Sequence, residues 1–186
     1  MRGILEVPAG LVFAEQLLTP EQEAQLLDWL AALDYREVRM HGQVARRVVR
    51  HYGVGYNFDS QALTPGDPIP DQLLGVRAQC AELLGRPAED LAEVLATRYP
   101  PAATIGWHRD APAFGDVVGV SLGSSCVMRF QRGSGTERRV HEQPLPPRSA
   151  YVLAGKARTV WQHSIPAVPQ ERYSLTFRTL RWSVRS

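Results

Sequence analysis

Tyr99-Pro100-Pro101-Ala102-Ala103-Thr104-Ile105-Gly106-Trp107-His108-Arg109-Asp110 lies where the chain has left helical periodicity behind. Pro100-Pro101 ends a strand at Tyr99 sharply and carries the chain round to the next, which closes on His108-Arg109-Asp110. Working outward, short apolar runs fall at residues 94–99, 117–122, 126–130, 150–153 and 173–180. Turn residues separate them, among them Gly115, Gly123, Gly133, Gly135, Pro144, Pro146, Pro147 and Gly155. Short strands at regular spacing predict a β-sandwich or barrel.

Helical patterns are confined to the N-terminal side, after a short strand and lead-in over residues 1–18. Thr19-Pro20-Glu21-Gln22 is a helix start, with a capping threonine, proline at the first helical position and glutamine at the capping-box position. Leu26, Leu27, Leu30 and Leu33 continue one apolar face. A second helix over residues 71–84 carries Leu73, Val76, Cys80 and Leu84 on one side, and Gly85 and Pro87 stop it. The class expected is therefore mainly β with flanking N-terminal helices (α+β), the helices packed on one sheet of a jelly roll. Without linker, repeat or low-complexity stretch, residues 1–186 read as one domain.

Composition narrows the partners. Hydrophobic residues make up 44% and charged residues 22%, ordinary for a soluble domain, and a net charge of +2 is too small to argue for nucleic acid. Its distribution says more, since Arg36, Arg39, Arg46, Arg47 and Arg50 face the single acid Glu37. Tyr35, Tyr52, Tyr56 and Phe58 interleave with them, and Gly42, Gly53, Gly55 and Gly66 loosen the backbone. Short strands joined by mobile turns are expected, forming a lid over about residues 36–60 that suits stacked bases and phosphates; a plain hairpin extension is the alternative. Cys80 and Cys126 lack metal-type spacing and read as free thiols. No leader and no membrane-length apolar run is seen, so a cytoplasmic, membrane-free monomer is expected.

The chemistry gathers around His108 and Asp110, which at i and i+2 share one face of an extended strand. His163 follows in Trp161-Gln162-His163, while His41, His51 and His141 have no partner at strand spacing. Two histidines and one carboxylate form the facial triad of non-haem Fe(II) oxygenases, which leaves positions open for other ligands. A lone HxD pattern is weak evidence. Further along, Arg172, Ser174, Thr176 and Arg178 alternate with Tyr173, Leu175, Phe177 and Thr179. If the apolar set packs on the helices, two guanidinium groups point inward, where charge demands a counter-ion such as a short dicarboxylate. A solvated outer face is the other possibility. Tyr99, in a strand expected to border the metal strand, has a hydroxyl suited to a carboxylate, or is a core tyrosine.

Together, Tyr99-Pro100-Pro101, His108-Arg109-Asp110, Val120-Ser121-Leu122-Gly123, Trp161-Gln162-His163 and the Arg172 to Arg178 strand resemble the successive motifs of the AlkB family. The resemblance implies a double-stranded β-helix (jelly-roll) core and an Fe(II)- and 2-oxoglutarate-dependent dioxygenase. It implies His108, Asp110 and His163 as iron ligands. Arg172, Tyr99, Ser174 and Thr97 would hold 2-oxoglutarate, with Arg178 near its keto-acid end and against Asp110. Tyr56 matches a lid tyrosine that meets substrate, and Arg50 and Trp107 are further substrate candidates. Thr97 and Ser174 stand where many members carry asparagine. Pro112 stands where base-repair members usually carry an acid.

The implied reaction consumes O2 and 2-oxoglutarate, releases succinate and CO2, and hydroxylates an alkyl carbon; where that carbon is bonded to nitrogen, an aldehyde leaves. The leading expectation is oxidative removal of N-alkyl groups from bases of single- or double-stranded DNA or RNA, in repair or RNA demethylation. The alternative is an AlkB-like hydroxylase or demethylase of tRNA, protein or a small molecule, which Pro112 favours. A non-catalytic nucleic-acid-binding module is the third.

Overall fold

The computed structural model describes residues 3–40, 43–57 and 62–181, with the side chains of residues 40, 43, 56, 57, 62 and 63 outside that description. Strands β1 (Ile4–Leu5) and β2 (Leu11–Ala14) precede helix α1 (Pro20–Ala31). Then come β3 (Arg36–Met40), β4 (Gln43–Asn57), β5 (Ala62–Pro65) and helix α2 (Leu74–Leu84), which a 3-10 turn at Asp71–Leu73 leads into. The remaining strands are β6 (Leu91–Tyr99), β7 (Ile105–His108), β8 (Phe114–Leu122), β9 (Cys126–Arg132), β10 (Arg139–Leu145) and β11 (Ala150–Leu153). After the short helix α3 (Gly155–Thr159) follow β12 (Gln162–Ile165) and β13 (Arg172–Leu180).

Two sheets face each other. One runs β1-β10-β9-β12-β7; the other runs β2-β11-β8-β13-β6-β4-β3, with β5 paired to β4. This is the jelly-roll core that the strand spacing predicts. Between the sheets, Met128, Phe130, Leu145, Tyr151, Leu153, Trp161 and Ile165 form one buried cluster. On the far side of the larger sheet, Leu26 and Leu30 of α1 and Val76 and Cys80 of α2 pack against Val94, Ala96, Val118, Val120, Leu175 and Phe177. The cap on α1 is as read: Thr19 Oγ1 accepts from the Gln22 amide at 3.2 Å, and the Gln22 side chain accepts from the Thr19 amide at 2.9 Å. Such a cap contributes about 1 kcal/mol, whereas burying Leu26 and Leu30 contributes roughly 4 kcal/mol together. Packing, more than capping, holds α1 in place.

The segment expected to be short strands and turns is instead built around one long strand. β4 pairs with β6 from Val48↔Arg98 to Gly53↔Glu93, so its first part belongs to the main sheet. Gly53 does not mark a turn here. It lies within the strand at φ +83°, where a Cβ would fall 2.1 Å from the Ala92 carbonyl oxygen. Gly119 of β8 has the same kind of role at the core. Its register partner is Tyr151, whose ring passes over it so closely that a Cβ would lie 2.1 Å from Cζ. Gly119→Val is therefore expected to cost about 1–3 kcal/mol by overpacking, read as a lower midpoint in chemical denaturation, and Tyr151→Ala in the same chain should recover part of it. The cysteines are both free, Cys80 buried and Cys126 half-buried. No described helix is long and apolar enough to cross a membrane.

Candidate metal centre

His108 and His163 are register partners on the adjacent strands β7 and β12. Their ring centroids lie 4.2 Å apart. β7 ends at His108, so Asp110 is delivered by the irregular segment beyond the strand and not, as the i, i+2 spacing suggested, by the strand itself. The three side chains still converge: one ligating atom from each lies within 4.8 Å of the others. His108 Nδ1 sits 2.9 Å from the Gly106 carbonyl oxygen. If that nitrogen carries the proton, Nε2 keeps its lone pair for a metal.

The electrostatics suit a cation. Burial alone would raise the Asp110 carboxyl, but Arg178, His163, His108 and Arg158 hold it well below the usual carboxylate range. Burial likewise pushes His163 down, to about 4, against the pull of Asp110. At neutral pH the cluster thus presents an ionised carboxylate and a neutral His163 imidazole.

Across the barrel, β13 alternates as its sequence does. Arg172, Ser174 and Arg178 are buried on the inner face, while Tyr173, Leu175 and Phe177 join the helix-side core. Arg178 donates from Nη2 to Asp110 at 2.9 Å and from Nη1 to Glu93 at 2.8 Å. Arg172 is 1% exposed. It donates through Nε to Ser121 Oγ at 3.1 Å and lies 5.0 Å over the Tyr99 ring. Its Nη1 is buried with no hydrogen-bond partner among the described residues. An arginine in that state lacks the anion that burial demands.

The sequence model of the 2OG-Fe(II) oxygenase superfamily matches residues 10–178. The chain belongs to this superfamily, in its AlkB-like branch. It is 30% identical over 168 residues to the tRNA (carboxymethyluridine(34)-5-O)-methyltransferase alkbh8 of Xenopus tropicalis, with 86% of this chain aligned to 25% of that protein. It is 26% identical over 186 residues to the alkylated DNA repair protein ALKBH8 homolog of Arabidopsis thaliana, which covers 87% of this chain and 52% of the relative. The chain thus spans about a quarter of the length of the first and about half of the second. Among solved structures, a 2OG-Fe(II) oxygenase family oxidoreductase from Burkholderia pseudomallei has the same fold, with TM-score 0.66 and 16% identity over 98% of this chain and 97% of that one.

The residues of this dioxygenase fit the Fe(II) and 2-oxoglutarate that the superfamily implies. Three groups able to ligate a metal converge, and a buried guanidinium with an unused donor stands in the opposite sheet. Between them runs a row of buried hydroxyls. Register places Thr97 opposite Ser174 and Ser174 opposite Ser121, across β6, β13 and β8. All three are suited to the oxygens of a carboxylate.

The other predicted residues fall out differently. Tyr99 is buried and pairs in register with Arg172, so its strand borders β13 and β4; β7, the strand of His108, lies in the other sheet. Arg50 is opposite Ala96, on the helix-facing side, where it binds Asp67 and lies over Tyr52. The arginine of β4 that shares the inner face is Arg47, which donates to the Thr104 carbonyl at 3.3 Å. Trp107 is 37% exposed, next to His108. The Tyr56 backbone runs in β4, but its side chain, like His41, lies outside the described residues.

Four residues escaped the sequence reading. Ser121 was visible within a motif but carried no role. Tyr151 lies inside the barrel near Arg172 and Tyr99, and burial raises its hydroxyl, keeping it protonated. Arg158 of α3 donates to the carbonyls of Gly115, Ala111 and Phe114, tying down the loop after Asp110. Glu93 is fully buried against Arg178. A cleft of about 290 Å³ opens beside Asp110, lined in part by Arg109, Pro112, Asp116, Arg158 and Arg181.

Proposed function

We propose that this dioxygenase oxidises a substituent on a nucleic-acid base, with 2-oxoglutarate as co-substrate. The observation that carries the co-substrate reading is the buried, unsatisfied Nη1 of Arg172, on an arginine that pairs with Ser121 and with no protein carboxylate among its described contacts. His108, Asp110 and His163 would hold Fe(II), and Arg172 would bind the far carboxylate of 2-oxoglutarate with Tyr99, Ser174 and Thr97 beside it. Bound together, metal, 2-oxoglutarate and O2 supply the oxidising power. The chain's own part is placement. Arg178 fixes Asp110, Ser121 fixes Arg172, and the apolar wall of Phe130, Tyr151 and Trp161 keeps the enclosed volume dry.

For the substrate, two readings stand. Oxidative removal of N-alkyl groups from adenine or cytosine is the first, supported by the basic β3–β4 hairpin. Oxidation of a modified uridine of tRNA is the second, and two observations favour it. Pro112, in the wall of the cleft beside Asp110, has no carboxylate to meet an exocyclic amino group. The frog relative bears the name of an enzyme of carboxymethyluridine at position 34 of tRNA. The test supplies Fe(II), 2-oxoglutarate and O2 with oligonucleotides carrying 1-methyladenine, 3-methylcytosine or 5-carboxymethylated uridine, and reads succinate, formaldehyde and base composition. Restored adenine or cytosine with formaldehyde establishes the dealkylase. A hydroxylated uridine substituent establishes the second reading, and succinate uncoupled from every base overturns both.

A further inference from the structure

Glu93 has no role in the chemistry described so far, yet it is fully buried and ionisable, two hydrogen bonds from the metal cluster. Its Oε2 accepts from Arg178 Nη1 at 2.8 Å, and Arg178 Nη2 donates onward to Asp110 Oδ1 at 2.9 Å. Its other oxygen, Oε1, lies 3.1 Å from Nδ1 of His51 on β4. The fold sets this row up through register alone: Glu93 is opposite Arg178 on one side and Gly53 on the other, with His51 two residues along the same face. The arginine is thus bracketed by two carboxylates, and only one of them can reach a metal.

That bracketing has an electrostatic consequence. An arginine paired with Asp110 alone would draw negative charge away from the metal and leave the pair neutral. With Glu93 on its other side, the row Glu93–Arg178–Asp110 keeps one net negative charge beside the cation. We propose that Glu93 is a positioning residue that sets the balance between metal and 2-oxoglutarate affinity: it shares Arg178 with Asp110 and so leaves the Asp110 carboxylate available as a donor. This rests on the metal reading given above. The same negative charge strengthens the hold on a divalent cation and opposes the doubly negative co-substrate, so its removal should move the two affinities in opposite directions. A residue that merely holds the fold would weaken both together.

Glu93→Gln tests this with little change of shape, because the amide oxygen still accepts from Arg178 and the amide nitrogen can donate to His51 Nδ1. The probes are Co(II), followed by calorimetry and its visible spectrum, and then 2-oxoglutarate titrated into the Co(II)-loaded protein without oxygen. Glu93→Gln is expected to bind Co(II) about tenfold more weakly and 2-oxoglutarate about threefold or more tightly, the order expected of one unit charge through a partly screened interior. Glu93→Asp keeps the charge on a shorter side chain, and its Co(II) affinity is expected within about threefold of the starting protein, whereas the amide variant loses it. Glu93→Asp also serves, against the starting protein, if Glu93→Gln proves too unstable to assay. The proposal is overturned if both affinities fall together in Glu93→Gln, if neither moves, or if Glu93→Asp binds Co(II) tenfold or more weakly than the starting protein. Failure of the unsubstituted protein to bind Co(II) would instead overturn the metal reading and take this inference with it.

Discussion

Arg172→Met is expected to abolish measurable 2-oxoglutarate binding at concentrations that saturate the unsubstituted protein, with metal binding intact. Arg172 is almost wholly buried, and its hydrogen bond to Ser121 leaves Nη1 unused. Truncating one member of a buried, hydrogen-bonded charge pair costs about 2–5 kcal/mol, or roughly a few hundredfold in affinity at its middle. The effect on stability should run the other way from most core substitutions. Without co-substrate, the guanidinium has no carboxylate partner among its described contacts, so a methionine of similar volume relieves an uncompensated charge. The ligand-free variant should melt no lower than its parent. What disappears is the rise in melting temperature that 2-oxoglutarate confers by binding only the folded state. Paired melting curves, with and without 2-oxoglutarate in the presence of Co(II), read both effects. A variant that melts many degrees lower while keeping its ligand shift would remove Arg172 from the co-substrate site.

Asp110→Asn carries the second large effect. The substitution keeps size and removes the anionic ligand, so Co(II) affinity and succinate formation should each fall by more than about a hundredfold, the upper end of what changes to outer partners of a metal site cost. Folding should survive, for a reason specific to this site. Arg178 keeps its 2.8 Å pair with Glu93 and is not stranded in the core. Loss of metal and loss of structure are therefore separable here by comparing metal titration with circular dichroism, and an Asp110→Asn protein that still binds Co(II) normally would displace Asp110 from the ligand set.

How much of this was legible in the sequence depends on the range of the interaction. The period-two alternation of residues 172–179 is local, and it separated Arg172, Ser174 and Arg178 from the helix-facing Tyr173, Leu175 and Phe177; that the arginine face is buried depends on the other sheet and was not legible in the strand alone. The capping box of α1 and the glycine stop of α2 are local too, and both stand in the structure. β10 and β12 escaped because their own residues argue against them. β10 contains Arg139, Glu142 and Pro144, and β12 is only four residues long; each forms because β9 lies between them and pairs with both. Strand neighbours were equally out of reach. Nothing near Tyr99 says that it pairs with Arg172 and not with the strand of His108, and nothing near Arg50 says that it faces the helices while Arg47 faces inward. Glu93 lies 85 residues from Arg178 and carries no motif. Its role is a matter of register across three strands.

The position of β13 also bears on how the protein is made. This strand, Arg172–Leu180, lies between β8 and β6, which precede it by many residues, and it supplies Arg172 and Arg178. Until the ribosome has passed residue 180, β6 and β8 have no partner between them and each exposes an unpaired edge. Such edges are templates for pairing with other chains, and closing a sheet by a late, long-range strand is slow. The centre of the sheet, and with it the wall that carries Arg172, is therefore completed only after nearly all of the described chain has been synthesised. Nascent chains stalled before Arg172 should be aggregation-prone and incapable of holding 2-oxoglutarate, however well their N-terminal helices have formed.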